Sequence, residues 1–135
     1  MCAALTQTLH DYVKLSQQHY IEECLKNFGL HDCNPVKLPM LERPRDVDQP
    51  KELDKNLQSK YREMIGSLLY VANWTRPDIS FAVSELSRML SNPGQKHLTA
   101  AKRVFRYLKG TITLTLQYKS KPTKGIGANV LWGFV

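Results

Sequence analysis

His31, Asp32 and Cys33 stand in a row, with His19 and Cys24 upstream, and these are the side-chain types that a zinc ion takes. Their spacing matches no zinc pattern, and surface or turn residues are the better reading. Cys24 falls on the apolar face of an expected helix, where cysteine serves as a small core residue rather than a nucleophile. Two-metal chemistry needs rigidly held carboxylates, yet the pair Asp46 and Asp48 sits in a proline-rich linker. No GxSxG elbow, phosphate-binding glycine loop or dinucleotide fingerprint occurs, and GIG at Gly125 to Gly127 reads as a flexible turn. The histidines have no serine or cysteine partner at informative spacing. The chain is therefore expected to be no enzyme on its own, with no catalytic residue, no metal ligand and no cofactor.

The chemistry that remains is cationic. All 12 acidic residues lie at or before Glu85, whereas residues 86–135 carry Arg88 and eight further lysines and arginines with no Asp or Glu among them. Residues 1–85 sum to 10 − 12 = −2 and residues 86–135 to +9, which together give the net +7. A one-sided field of this kind serves polyanion binding, or else makes a basic solubilising surface. Lys102, Arg106 and Lys109 recur at i, i+4 and i+7, about 5–6 Å apart from one to the next along a helix, a spacing suited to tracking phosphates. Lys96 and Arg103 extend that track, as do Lys119, Lys121 and Lys124 beyond the helix. Contacts to phosphate would give affinity and register without reading sequence. The alternative for any single residue is a solvated lysine.

The elements that must position these cations follow from periodicity. Tyr12 to Leu15 form a short extended piece, and Ser16 can cap a helix from Gln17 to about Phe28 that ends at a left-handed Gly29. Four prolines, Pro35, Pro39, Pro44 and Pro50, mark a linker crossing a surface. A second helix is expected from about Leu57 to Asn73, its stripe made of Tyr61, Ile65, Leu68, Leu69 and Ala72. Gly66 and Ser67 there are small enough to admit a neighbouring backbone. In TRPDISFAVSELSRML, Thr75 and Asp78 have capping-box spacing, and Ile79, Ala82, Val83, Leu86 and Leu90 make the buried arc. Phe81 lies outside that arc and should meet a further element. The cationic helix follows, with Asn92 as its cap, Pro93 in its first turn, Leu98, Ala101, Val104, Phe105 and Leu108 inward, and Gly110 as its stop. TITLTLQY then switches to period two, a half-buried strand, and NVLWGFV reads as its partner across a basic loop.

The expected fold is mainly α: a bundle of three to four helices with a short two-stranded β edge at the C-terminus. The organisation divides at 1–34, 35–56 (the proline-rich linker), 57–110 (the helical bundle) and 111–135 (the β edge). No apolar run approaches the ~18–20 residues of a membrane span, and the start MCAALTQTLHDYVKL lacks a secretory pattern. Three cysteines without a CxxC argue against a disulfide framework. An intracellular chain, cytoplasmic or nuclear, is expected, with no membrane partner.

The stretch YREMIGSLLYVANWTRPDISFAVSELSRMLSNPGQKHLTAAKRVFRYLKGT resembles the Pol polyprotein of copia-type LTR retrotransposons, in the part after the reverse-transcriptase palm. KLSQQHYIEECLKNFGLHDCNPVKLPM looks like the same family's segment joining palm to thumb, so the resemblance covers about Tyr12 to Tyr118. It implies a thumb and connection region that grips the RNA–DNA template–primer, with Lys96, Lys102, Arg103, Arg106 and Lys109 as phosphate contacts. The partners it implies are an RNA/DNA hybrid or other duplex and the rest of a Pol chain. In the family, a strand like LWGFV runs into the first catalytic aspartate of the RNase H domain, which makes residues 111–135 an incomplete RNase H-like edge. The parent enzyme needs divalent metal such as Mg. Its Tyr-x-Asp-Asp hairpin would lie upstream of residue 1 and its RNase H carboxylates after Val135, so both active sites are expected to be absent. The other readings are a helical protein–protein module and a genomic remnant without function.

Overall fold

The computed structural model describes residues 5–9, 12–43 and 54–119. Strands β1 (Leu5–Leu9) and β2 (Tyr12–Ser16) lead into helix α1 (Gln18–Asn27). After the linker come α2 (Lys55–Trp74), a 3-10 turn (Pro77–Ile79), α3 (Ser80–Ser87), α4 (Gln95–Gly110) and β3 (Leu116–Lys119). The fold is mainly α with a short antiparallel sheet, as the periodicities predict.

The helices share one apolar core because their buried arcs face one another. Ile21, Cys24 and Leu25 of α1 join Tyr61, Met64, Ile65 and Leu68 of α2, Ala82, Val83 and Leu86 of α3, and Leu98, Val104, Phe105 and Leu108 of α4. Phe28 and Phe105 stack at 5.2 Å between ring centroids and so couple the end of α1 to α4. Two polar ties fix the helix ends. Tyr61 donates its hydroxyl to the Leu86 carbonyl at 2.7 Å, and burial pushes that hydroxyl's pKa up. Thr75 donates to Oε1 of buried Gln17 at 2.7 Å, joining the end of α2 to the start of α1.

Local signals hold at several boundaries and fail at others. Gly29 takes φ +70°, a conformation costly for residues with a Cβ. By contrast, α1 begins one residue later than expected, with Gln17 at its cap position and Ser16 Oγ accepting the Gln18 amide at 3.2 Å from outside the helix. The capping-box reading of Thr75 and Asp78 is not realised: Thr75 turns to Gln17, and Asp78 binds side chains instead of a helix terminus. α4 begins later than Asn92 and Pro93 suggest. Gly94 is its cap, and Nδ1 of His97 accepts the Gly94 amide at 2.9 Å, which leaves Pro93 buried ahead of the helix. On α2, Leu69 is 36% exposed while Met64 and Val71 are buried in its place, because the buried arc is centred nearer Leu68 than the stripe assumed.

Gly66 also differs from expectation. A Cβ built there meets nothing within 4 Å, so among the described residues no neighbouring backbone comes close. Gly66→Ala is therefore expected to raise stability by about 1 kcal/mol through helix propensity alone. Urea unfolding followed by circular dichroism measures this, and a loss of stability would mean that the position is crowded after all.

The sheet is assembled differently from the expected C-terminal pair. It has three described strands in the order β1-β2-β3, all antiparallel, with β2 central. The strand expected over 111–118 pairs through Leu15↔Leu116 and Val13↔Tyr118 with the N-terminal hairpin. The partner expected for it, 129–135, lies outside the described residues. Residues 111–113 of the expected strand are held as a turn because the Thr111 amide bonds back to Tyr107 and Leu108, and the Leu114 amide to Thr111. Pairing therefore starts only at Leu116.

Candidate nucleic-acid interface

Helix α4 carries most of the candidate contacts because its two sides differ in kind. Leu98, Ala101, Val104, Phe105 and Leu108 turn inward, and the cations occupy the flank beside them. Lys96 is exposed, whereas Lys102, Arg103, Arg106 and Lys109 are half-buried. Lys121 and Lys124 lie outside the described residues, and Lys119 is placed only by its backbone at the end of β3.

The flank is divided in two by the segment that follows α1. Lys109 Nζ donates to the carbonyls of His31 (2.5 Å) and Cys33 (2.8 Å), and Arg106 Nε donates to the Asn34 carbonyl at 2.7 Å. The Val36 amide bonds the Arg106 carbonyl at 3.4 Å. Gly110 makes this approach possible, since a Cβ there would stand 3.0 Å from Pro35 Cβ. Residues 31–36 thus form a strap across the C-terminal half of the cationic flank. Lys96, Lys102 and Arg103 occupy the other half, and Arg103 Nε is enclosed without an acceptor among the described residues.

A second cation, Arg76, is 2% exposed and belongs to the interior. It forms a two-point ion pair with Asp78 (Nε to Oδ1 2.9 Å, Nη2 to Oδ2 2.7 Å) and donates to the Thr111 carbonyl (3.0 Å) and hydroxyl (2.6 Å). The Tyr107 hydroxyl donates to Asp78 Oδ2 at 2.8 Å, and the guanidinium lies 5.5 Å from the Tyr107 ring centroid. Burial works to raise the Asp78 pKa, but the hydrogen bonds from Arg76 and Tyr107 and the Arg76 charge outweigh it, leaving the carboxyl below its ordinary range. Burial and the hydrogen bond to Asp78 push the Tyr107 hydroxyl up. This knot fastens the 3-10 turn to the end of α4. Sequence reasoning missed it, although an arginine and an aspartate on either side of Pro77 were its visible signal.

The remaining candidates stay dispersed. His31 Nε2 lies 2.8 Å from Asp32 on the surface, His19 pairs with Glu23, and Cys24 is buried. Among the described residues no three His, Cys, Asp or Glu side chains gather as a metal would require. Phe81 is exposed and meets Arg43, whose guanidinium sits 5.2 Å from its ring centroid. On α2, Leu69, Tyr70 and Trp74 are exposed, and Tyr70 is in edge contact with Tyr20 at 4.9 Å. No described helix is long and apolar enough to cross a membrane.

Similarity to known proteins covers most of the chain. It is 38% identical over 102 residues, 72% of its length, to the retrovirus-related Pol polyprotein from transposon TNT 1-94 of Nicotiana tabacum. It is 40% identical over 97 residues to the retrovirus-related Pol polyprotein from transposon RE1 of Arabidopsis thaliana, again 72% of the chain. The mitochondrial protein AtMg00810 of Arabidopsis thaliana is 39% identical over 73% of the chain and 40% of its own length. The chain spans only 8% and 6% of the two Pol polyproteins. No protein-family profile matches the chain, and no solved structure does.

Proposed function

We infer, from a chain similar over most of its length to one segment of retrotransposon Pol polyproteins, that it is the thumb and connection part of a reverse transcriptase. In this reading it holds an RNA–DNA duplex without catalysing its synthesis or cleavage. The observation that carries this is the cationic flank of α4, set beside a buried apolar face that fixes its direction. Lys96, Lys102 and Arg103 make the phosphate contacts. The parent Pol would copy RNA into DNA, and its divalent metal would rest on carboxylates elsewhere. Among the described residues no three His, Cys, Asp or Glu side chains gather, and Asp78 is committed to Arg76.

Fluorescence anisotropy of a labelled RNA–DNA hybrid, titrated with the chain at several salt concentrations, tests the proposal. Each phosphate contact should steepen the fall of log K with log salt by about 0.7–0.9. Lys96→Gln combined with Lys102→Gln should flatten the slope by about twice that amount. Equal slopes for the variant and the parent chain would remove α4 from the interface. The second reading, a helical docking module, is favoured by the exposed Leu69, Tyr70 and Trp74. Apolar docking of that kind would change little with salt.

A further inference from the structure

The strap places one more cation beside the α4 flank. Val36 is bonded to the Arg106 backbone, and the next residue, Lys37, is exposed. Arg106 and Lys109 meanwhile direct donors into the carbonyls of Asn34, His31 and Cys33. We propose that Arg106 and Lys109 are positioning residues for the strap, and that Lys37 is a phosphate contact, so that the cationic track passes from α4 onto the strap.

The argument is one of donor use and reach. An ammonium has three donors, and two of those on Lys109 are aimed at backbone oxygens that water would otherwise solvate. The Arg106 Nε–H is likewise committed. Replacing these bonds with phosphate contacts would release the strap from α4 and part Pro35 from Gly110. Lys37 makes no such bond among the described residues, and its backbone follows directly from Val36, whose amide is tied to the Arg106 carbonyl. In this proposal a duplex lying along Lys96, Lys102 and Arg103 extends onto Lys37.

The inference rests on the proposed duplex binding, and the experiment separates the two. Salt-dependent anisotropy with a labelled RNA–DNA hybrid is measured for the whole chain, Lys37→Gln, Lys109→Met, the double variant and Lys109→Arg. Lys37→Gln should reduce the salt slope by about 0.7–0.9. In the Lys109→Met background the same change should have a smaller effect, because a loosened strap no longer holds Lys37 in register. Lys109→Arg, which can still donate to the carbonyls, should restore the full effect of Lys37→Gln. A purely structural Lys109 would lower stability without altering how much Lys37 contributes. If the parent chain binds with a steep slope that Lys37→Gln leaves unchanged, this inference fails while duplex binding stands. If the parent chain does not bind the hybrid, both fail. Equal effects of Lys37→Gln in the two backgrounds would overturn the positioning role of Lys109.

Discussion

Asp78→Ala is expected to destabilise the fold by about 3–5 kcal/mol, the usual consequence of removing one partner from a buried ion pair. The size follows from what is left behind. Arg76 is buried, and it would keep the Thr111 carbonyl and hydroxyl but lose the only carboxylate it touches among the described residues. The Tyr107 hydroxyl would lose its acceptor at the same time. Because small domains are stable by only about 5–15 kcal/mol, the variant is expected to sit near the edge of folding. Asp78→Asn, which preserves shape, is the companion measurement, and urea midpoints give both values. Substituting both partners, Arg76→Met with Asp78→Leu, should recover much of the loss, since an apolar pair leaves no charge unpaired. A cost below about 1 kcal/mol for Asp78→Ala would show that water reaches the guanidinium and solvates it.

The same pair fixes a pH dependence. The Asp78 carboxyl titrates below its ordinary value in the folded chain, and near ~3.9 when unfolded. The folded state therefore holds its proton less tightly than the unfolded one. Its contribution is fully present above about pH 4 and is lost as the pH falls through the folded value. Melting temperatures of the parent chain should thus drop toward acid more steeply than those of Asp78→Asn. Parallel curves for the two would contradict the assignment.

Phe105→Ala is the second large effect, at about 3–5 kcal/mol. Phe105 is almost fully buried on α4 and meets Phe28, which ends the α1 segment. Truncation removes transfer energy, opens a cavity and forfeits the ring pair, itself worth about 0.5–1.5 kcal/mol. Its distinguishing consequence is local. Amide exchange around Ile21, Cys24 and Leu25 should accelerate more than exchange in α2, because Phe105 is where α4 grips α1. Phe105→Leu, which keeps most of the volume, should cost less than half as much and serves where the alanine variant fails to fold. Uniform acceleration across α1 and α2 would mean that α1 has no separate dependence on this ring.

What could be read from the chain by itself was local or compositional. Residues three and four apart must share a helix face, which alone places Val104, Phe105 and Leu108 in the core and Lys102, Arg106 and Lys109 on a flank. Gly29 declared its left-handed turn by the same local logic. The concentration of positive charge after Glu85 needed only counting. Tertiary structure decided what those side chains touch. Arg106 and Lys109 find carbonyls more than seventy residues earlier in the chain, and β3 pairs with a strand from the opposite end. Arg76, which gave no periodic signal, becomes the buried charge on which the turn before α3 depends. Periodicity tells a side chain which way to face, but a hydrogen bond needs its acceptor within about 3 Å. Which backbone arrives at that distance is settled only when the helices pack.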